Sequence, residues 1–169
     1  WHPQALALQR MLDLPASDAG SFDAQVRGQQ PKPIDMKLAE ICQAVYEPDN
    51  AGPADWQRLD ATQLQAAGID PSMLEDASTG FRAGIYSDGQ GHCVLAFAGS
   101  NDGNDWLDNF EQGLGLSASQ YREAETLAGL AKGAFGDNLV ITGHSLGGGL
   151  AAAAAAKYDI AAVTFNAAG

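Results

Sequence analysis

The spacing of apolar positions changes along this chain, and each spacing predicts its own kind of element. Leu38, Ile41, Cys42 and Val45 recur at three- and four-residue intervals. That is the period of one helix face, so residues 35–46 read as an amphipathic helix capped by Asp35 and ended by Pro48. The stretch 49–80 reads as loop, apart from a short helix over 62–67 that Gly68 stops. From Phe81 the pattern shortens. Residues 81–87 and 92–98 are apolar runs of strand length joined by Asp88-Gly89-Gln90-Gly91, a hairpin composition. Helical spacing returns over 117–134, where Tyr121, Ala124, Leu127, Ala128 and Ala131 form a stripe. Residues 138–142 then read as a buried strand, 146–157 as a helix and 160–165 as another buried strand. Upstream, residues 4–12 read as a short helix followed by loop, and Pro31 and Pro33 mark a boundary.

The C-terminal order of strand, helix, strand, helix, strand predicts parallel pairing through right-handed crossovers. A hairpin precedes it. The expected class is α/β, a mostly parallel sheet with helices on both faces. Residues 1–33 read as an N-terminal extension and 34–169 as the folded unit.

Composition narrows the partners. The chain has 169 residues, 46% of them apolar, enough for one domain with a real core. Its net charge of −12 argues against nucleic acid and against long-range attraction to an anionic bilayer. It leaves a neutral or zwitterionic lipid surface open. No apolar run reaches membrane-spanning length, and the longest weakly polar stretch, 146–156, is glycine and alanine. Cys42 and Cys93 have no metal-type spacing and read as two small hydrophobes rather than a disulfide. No metal is expected. Asp102, Asp105, Asp108 and Glu111 lack the ordered calcium-loop pattern and read as a solvated rim. The chain begins with Trp1 and shows no basic-then-apolar leader, so a processed chain or a fragment is expected.

The sharpest chemical signal is Gly143-His144-Ser145-Leu146-Gly147, a G-x-S-x-G between a predicted strand and a predicted helix. A serine nucleophile must stand clear of the sheet on a tight turn, and strand–turn–helix is the setting that provides it. Gly143 and Gly147 support this elbow by removing side chains that would clash across the turn. Gly148, Gly149 and the alanines at 151–156 let the helix pack closely. Ser145 is therefore the candidate nucleophile, and the Leu146 N–H, in the first turn of the helix, is the candidate oxyanion donor. A second donor should come from the end of an earlier strand, and the run 93–98 leads into Gly99-Ser100.

Phe97-Ala98-Gly99-Ser100, the following Asp105-Trp106-Leu107-Asp108-Asn109-Phe110, and the run from Ile141 to Gly148 together resemble class 3 (fungal-type) lipases of the α/β-hydrolase superfamily. Val163-Thr164-Phe165-Asn166 resembles the next strand of that family, so the likeness covers about residues 80–169. It implies an α/β-hydrolase fold, of which this chain is the N-terminal half. It implies that Ser100 is the second oxyanion residue; the alternative is a serine that only shapes a turn. It implies a lid near the segment after Ser100, where Trp106 and Phe110 either pack on the sheet or meet lipid. The implied activity is lipase or phospholipase A. Bacterial class 3-like members include toxins delivered to competitor cells, so a secreted or delivered effector with an immunity or inhibitor protein is implied. One departure is Asn166-Ala167-Ala168-Gly169, where the family continues Gly-x-Pro.

The triad also needs a histidine and an acid, which in this fold follow the serine. Asp159 is the only later carboxylate and precedes a strand. His92 starts a strand that Ser100 follows, which puts it about 20 Å away. His144 reads as a packing residue, and His2 is terminal. The triad Asp and His are therefore expected outside this chain, on a second polypeptide that completes the fold. The reading is a serine esterase acting on lipid acyl esters with no cofactor. A thioesterase or acyltransferase on the same fold, and a non-catalytic binding remnant, remain as alternatives.

Overall fold

The computed structural model describes residues 6–10, 22–27, 32–47, 52–98, 118–144 and 146–167. In chain order the elements are β1 (Leu6–Arg10), α1 (Phe22–Val26), α2 (Ile34–Ala44), β2 (Gln57–Arg58), α3 (Ala61–Ala66), a 3-10 turn (Pro71–Leu74) and β3 (Glu75–Asp76). They continue with β4 (Phe81–Ser87), β5 (Cys93–Phe97), α4 (Ala118–Phe135), β6 (Leu139–His144), α5 (Leu146–Tyr158) and β7 (Ala161–Ala167).

Side-chain alternation on the central strands sets the layers. Along β5, Cys93, Leu95 and Phe97 enter one apolar cluster, while Val94, Ala96 and the adjoining Ala98 enter the other. The first cluster is covered by α4 and α5 through Leu127, Ala128, Ala131, Leu150 and Ala154. The second is covered by α1 and α2 through Phe22, Val26, Leu38, Ile41 and Cys42. The strands are buried on both faces, which is why they read as continuous apolar runs. Helices lie on both sides of the sheet, as expected for an α/β chain.

The strand order is β1-β7-β6-β5-β4-β2, with β3 also on β4. β5 runs parallel to β6, and β6 to β7, in registers that set Phe97 beside Gly143 and His144 beside Phe165. The remaining pairings are antiparallel. The sheet is thus mixed, with a parallel centre, and not mostly parallel. The short turn 88–91 can return the chain only antiparallel, so it fixes β4 against β5, and Gly89 and Gly91 adopt positive φ there.

Residues 6–10 form a strand on β7, not part of a helix over 4–12. An isolated helix that short is marginal, whereas the open edge of β7 offers a full set of backbone partners. Asp35 does not cap α2 either. Pro33 occupies the N-cap, and Asp35 sits in the first turn, where its carboxylate accepts the Lys32 N–H at 2.7 Å. The helix expected near 62–67 is α3. Asp60 and Gln63 form a capping box at its start, and Gly68 follows it with φ of +80°. Both cysteines are free and buried. No described helix is long and apolar enough to cross a membrane.

Candidate functional site

β6 ends at His144 and α5 starts at Leu146, so one residue separates strand from helix. That residue, Ser145, lies outside the described residues, as do Ser100, Trp106, Phe110 and the acidic positions 102, 105, 108 and 111. The backbone of Leu146 is described within α5. What the structure defines is the frame around these positions, and two glycines show how tight it is.

A Cβ on Gly143 would stand 2.2 Å from the Gly147 carbonyl oxygen and 2.8 Å from the Gly148 nitrogen. Strand and helix therefore meet backbone to backbone across the turn. A Cβ on Gly147 would stand 2.0 Å from the Phe97 carbonyl oxygen and 3.1 Å from the Ala98 carbonyl carbon. The obstacle there is not the turn but the end of β5. Gly148 differs again. Its added Cβ would find only Gly143 at 3.4 Å and the Thr164 side chain at 3.5 Å, which is ordinary contact.

The first turn of α5 is thus seated against the β5 end, from which the chain leads on to residues 99 and 100. The first amide groups of α5 have no partners within the helix and carry its positive dipole end. Beneath them Thr142 fixes the layers. Its hydroxyl donates to the Val163 carbonyl at 2.8 Å and lies 3.2 Å from Cys42 Sγ on α2.

His144 follows Thr142 by two residues and so shares its α2-facing side. It is 2% exposed, and burial pushes its imidazole pKa down to about 4. His92 lies at the opposite end of the sheet, where Nδ1 is 2.6 Å from Asp88 Oδ2 and the ring stacks on Phe22 at 4.8 Å. Asp159 follows α5, with Oδ1 3.4 Å from Arg27. The described residues therefore bring together Gly143, Gly147 and the α5 start, while His92 and Asp159 lie away from them.

One polar node at this end of the sheet has no signal in the sequence. The Gln120 side chain donates to the Thr79 carbonyl at 2.8 Å, and the Thr79 hydroxyl donates to Glu123 Oε1 at 2.8 Å. Beside it lies a cleft of about 490 Å³ lined by Met73, Asp76, Thr79, Arg122 and Glu123, among others. It joins a turn to a helix far along the chain, so no local pattern announces it. Among the described residues no group of His, Cys, Asp and Glu is arranged to hold a metal ion.

Comparison with known proteins gives two findings. The profile of a phospholipase-like family, described as the Tle-like phospholipase domain, matches residues 37–169. An extracellular phospholipase A1 of Serratia liquefaciens is 50% identical over 154 residues, which cover 91% of this chain and 48% of that protein. The chain spans about half the length of this curated relative.

Proposed function

Since the chain belongs to the Tle-like phospholipase domain family, we propose that it carries the nucleophile and oxyanion-hole part of a phospholipase A with an α/β-hydrolase fold. Ser145 is the nucleophile. The N–H groups of Leu146 and Ser100 hold the oxyanion, and Gly143 and Gly147 make the elbow possible. The observation that carries this reading is the approach of Gly147 to Phe97 and Ala98. An oxyanion hole needs two donors from separate parts of the chain aimed at one oxygen. The contact sets the start of α5 beside the strand that leads to residue 100.

In the proposed reaction the Ser145 hydroxyl attacks the acyl carbonyl of the lipid, and a histidine takes its proton. The tetrahedral oxyanion collapses to an acyl-enzyme as that proton passes to the departing lysolipid. Water then releases the fatty acid by the same route in reverse order. His144, buried and turned to the α2 side, is not suited to this role. We assign the histidine and its acid to polypeptide beyond these residues, whether the continuation of the same protein or a second chain. A kinship with class 3 lipases, carried by residues 97–100 and 141–148, belongs to the same proposal. So does secretion, which the extracellular relative supports, and delivery as an effector with a matching immunity protein.

The test is reaction of the purified protein, with whatever polypeptide accompanies it, with a fluorophosphonate, read by intact mass. One adduct on this chain, absent in Ser145→Ala, is expected together with fatty-acid release from phospholipid vesicles. An adduct that persists in Ser145→Ala removes Ser145 from the mechanism. Turnover of acyl thioesters but not of phospholipids moves the protein to another class of acyl hydrolase.

A further inference from the structure

We propose that the cleft between the β3–β4 turn and α4 receives the headgroup of a zwitterionic phospholipid, with Asp76 and Glu123 facing its ammonium and Arg122 facing its phosphate. The inference rests on the phospholipase reading and names the substrate class for it.

Position comes first. β3 pairs with the start of β4, setting Asp76 beside Phe81, and the Ala98 N–H donates to the Arg82 carbonyl at 3.0 Å. The cleft therefore lies at the sheet end where β5 stops and α5 begins. From β3 to β6 is three strand spacings, about 14 Å. A headgroup site should sit beside the ester-cleaving centre and not on it.

The chemistry is of mixed sign. The Asp76 carboxylate accepts the Ser78 N–H at 2.9 Å and the Ser78 hydroxyl at 2.6 Å, and these bonds hold its pKa below the usual range. Glu123 is pushed above its usual value by burial and then by the neighbouring Asp76 charge. Two carboxylates crowded at one wall repel each other, and a bound cation relieves that repulsion. Arg122 is exposed; it donates to the Ser119 hydroxyl at 3.3 Å and forms no ion pair among the described residues. A guanidinium so placed suits a phosphate.

The walls are tied before any ligand arrives. Gln120, 2% exposed, bonds Thr79, and Thr79 bonds Glu123, so two hydrogen bonds tie α4 to the turn. Such preorganisation lowers the cost of binding. An anionic headgroup such as phosphatidylglycerol would bring no ammonium to the two carboxylates. The net charge of −12 works in the same direction.

Soluble headgroups test this without relying on turnover. Glycerophosphocholine, glycerophosphoethanolamine and glycerophosphoglycerol are titrated into the purified protein and followed by NMR. The variants are Asp76→Asn and Glu123→Gln, which keep the acceptors for Ser78 and Thr79, and Arg122→Gln. The two zwitterionic headgroups should bind about fivefold more tightly than glycerophosphoglycerol, and each carboxamide variant should lose about that factor. Arg122→Gln should weaken all three. Equal binding of all headgroups, or wild-type binding by the Asp76→Asn, Glu123→Gln double variant, overturns the proposal.

Vesicles of phosphatidylcholine and phosphatidylglycerol with the same acyl chains separate the two readings. Hydrolysis of both at one rate, with no headgroup preference in the titration, refutes the subsite alone. Headgroup binding with no hydrolysis of any vesicle, when the protein is assayed together with the polypeptide that carries its histidine and acid, refutes the phospholipase reading alone.

Discussion

In Gly147→Ala a single methyl group probes whether the start of α5 and the end of β5 form one unit. The new Cβ would lie 2.0 Å from the Phe97 carbonyl oxygen and 2.7 Å from its carbon, against an ordinary contact of 3.4 Å or more. Helix and strand would have to part by roughly 1 Å or more to admit the methyl. The obstacle is backbone, so no rotamer change relieves it. Phe97 belongs to β5, which is bonded to β4 on one side and β6 on the other, so the strand cannot yield alone. Overpacking of this kind costs at the upper end of the usual range, about 3 kcal/mol. Alanine recovers about 1 kcal/mol over glycine within a helix. The net loss is about 2 kcal/mol, or about 4–8 °C in unfolding temperature for a domain of this size. Fluorophosphonate labelling should fall much further, about 100-fold, because a displacement near 1 Å would separate the proposed nucleophile and the Leu146 donor from the proposed donor at Ser100. Gly148→Ala is the internal control. Its Cβ meets nothing closer than 3.4 Å, so it should unfold at the wild-type temperature or a few degrees above and label normally. Calorimetry and labelling rates on the two variants decide the matter. Wild-type behaviour of Gly147→Ala, or equal damage from both, would refute the reasoning.

Two further outcomes follow from buried titrating groups. His144, with its pKa pushed down to about 4, stays neutral in the fold, while the unfolded chain binds the proton near pH 6.5. Its contribution to stability is therefore complete above pH 6.5 and is lost as pH falls towards 4, by at most about 3 kcal/mol. Urea midpoints at pH 7 and pH 4.5 should differ less in His144→Gln than in wild type, and an equal difference in both would remove His144 as the cause. The Cys42 thiol is pushed up to about 12 and Cys93 to about 11, in both cases chiefly by burial. Iodoacetamide at pH 8 should therefore leave both unmodified in the native protein and alkylate both in urea; rapid native alkylation would contradict the packing described for them.

Most of the sheet was legible because its strands carry their own pattern. β4, β5, β6 and β7 are runs of strand length, α4 carries an apolar stripe at helical spacing and α5 follows the G-x-S-x-G turn, so none of them needs a distant partner to be recognised. β1 does not. Leu6–Arg10 is a strand because β7 has a free edge there, a fact about residues 161–167 and not about residues 6–10. β2 and β3, two residues each, exist only as pairings with β4. The Asp76–Glu123 cleft was invisible for the same reason, since its chemistry arises where a turn and a helix from separate parts of the chain meet.

The glycines show where local reading succeeds and where it stops. A reading of the sequence expects Gly143 and Gly147 to relieve one clash across the turn and Gly148 to permit close packing of the helix. The Gly143 contact is of that kind, a strand meeting the helix four residues on. Gly147 is needed for a different reason, the Phe97 carbonyl fifty residues earlier in the chain, and the contact at Gly148 is loose enough for a methyl group. The motif marks two glycines that have no room for a Cβ because spacing and steric demand coincide within a few positions. It cannot reveal that one of them locks the helix to the neighbouring strand. If the oxyanion hole is built from Leu146 and Ser100, that lock bears on its width, because one donor lies in the first turn of α5 and the other belongs to the chain that leads on from β5. Gly147→Ala should then change catalysis more than stability, and Gly148→Ala should change neither by much.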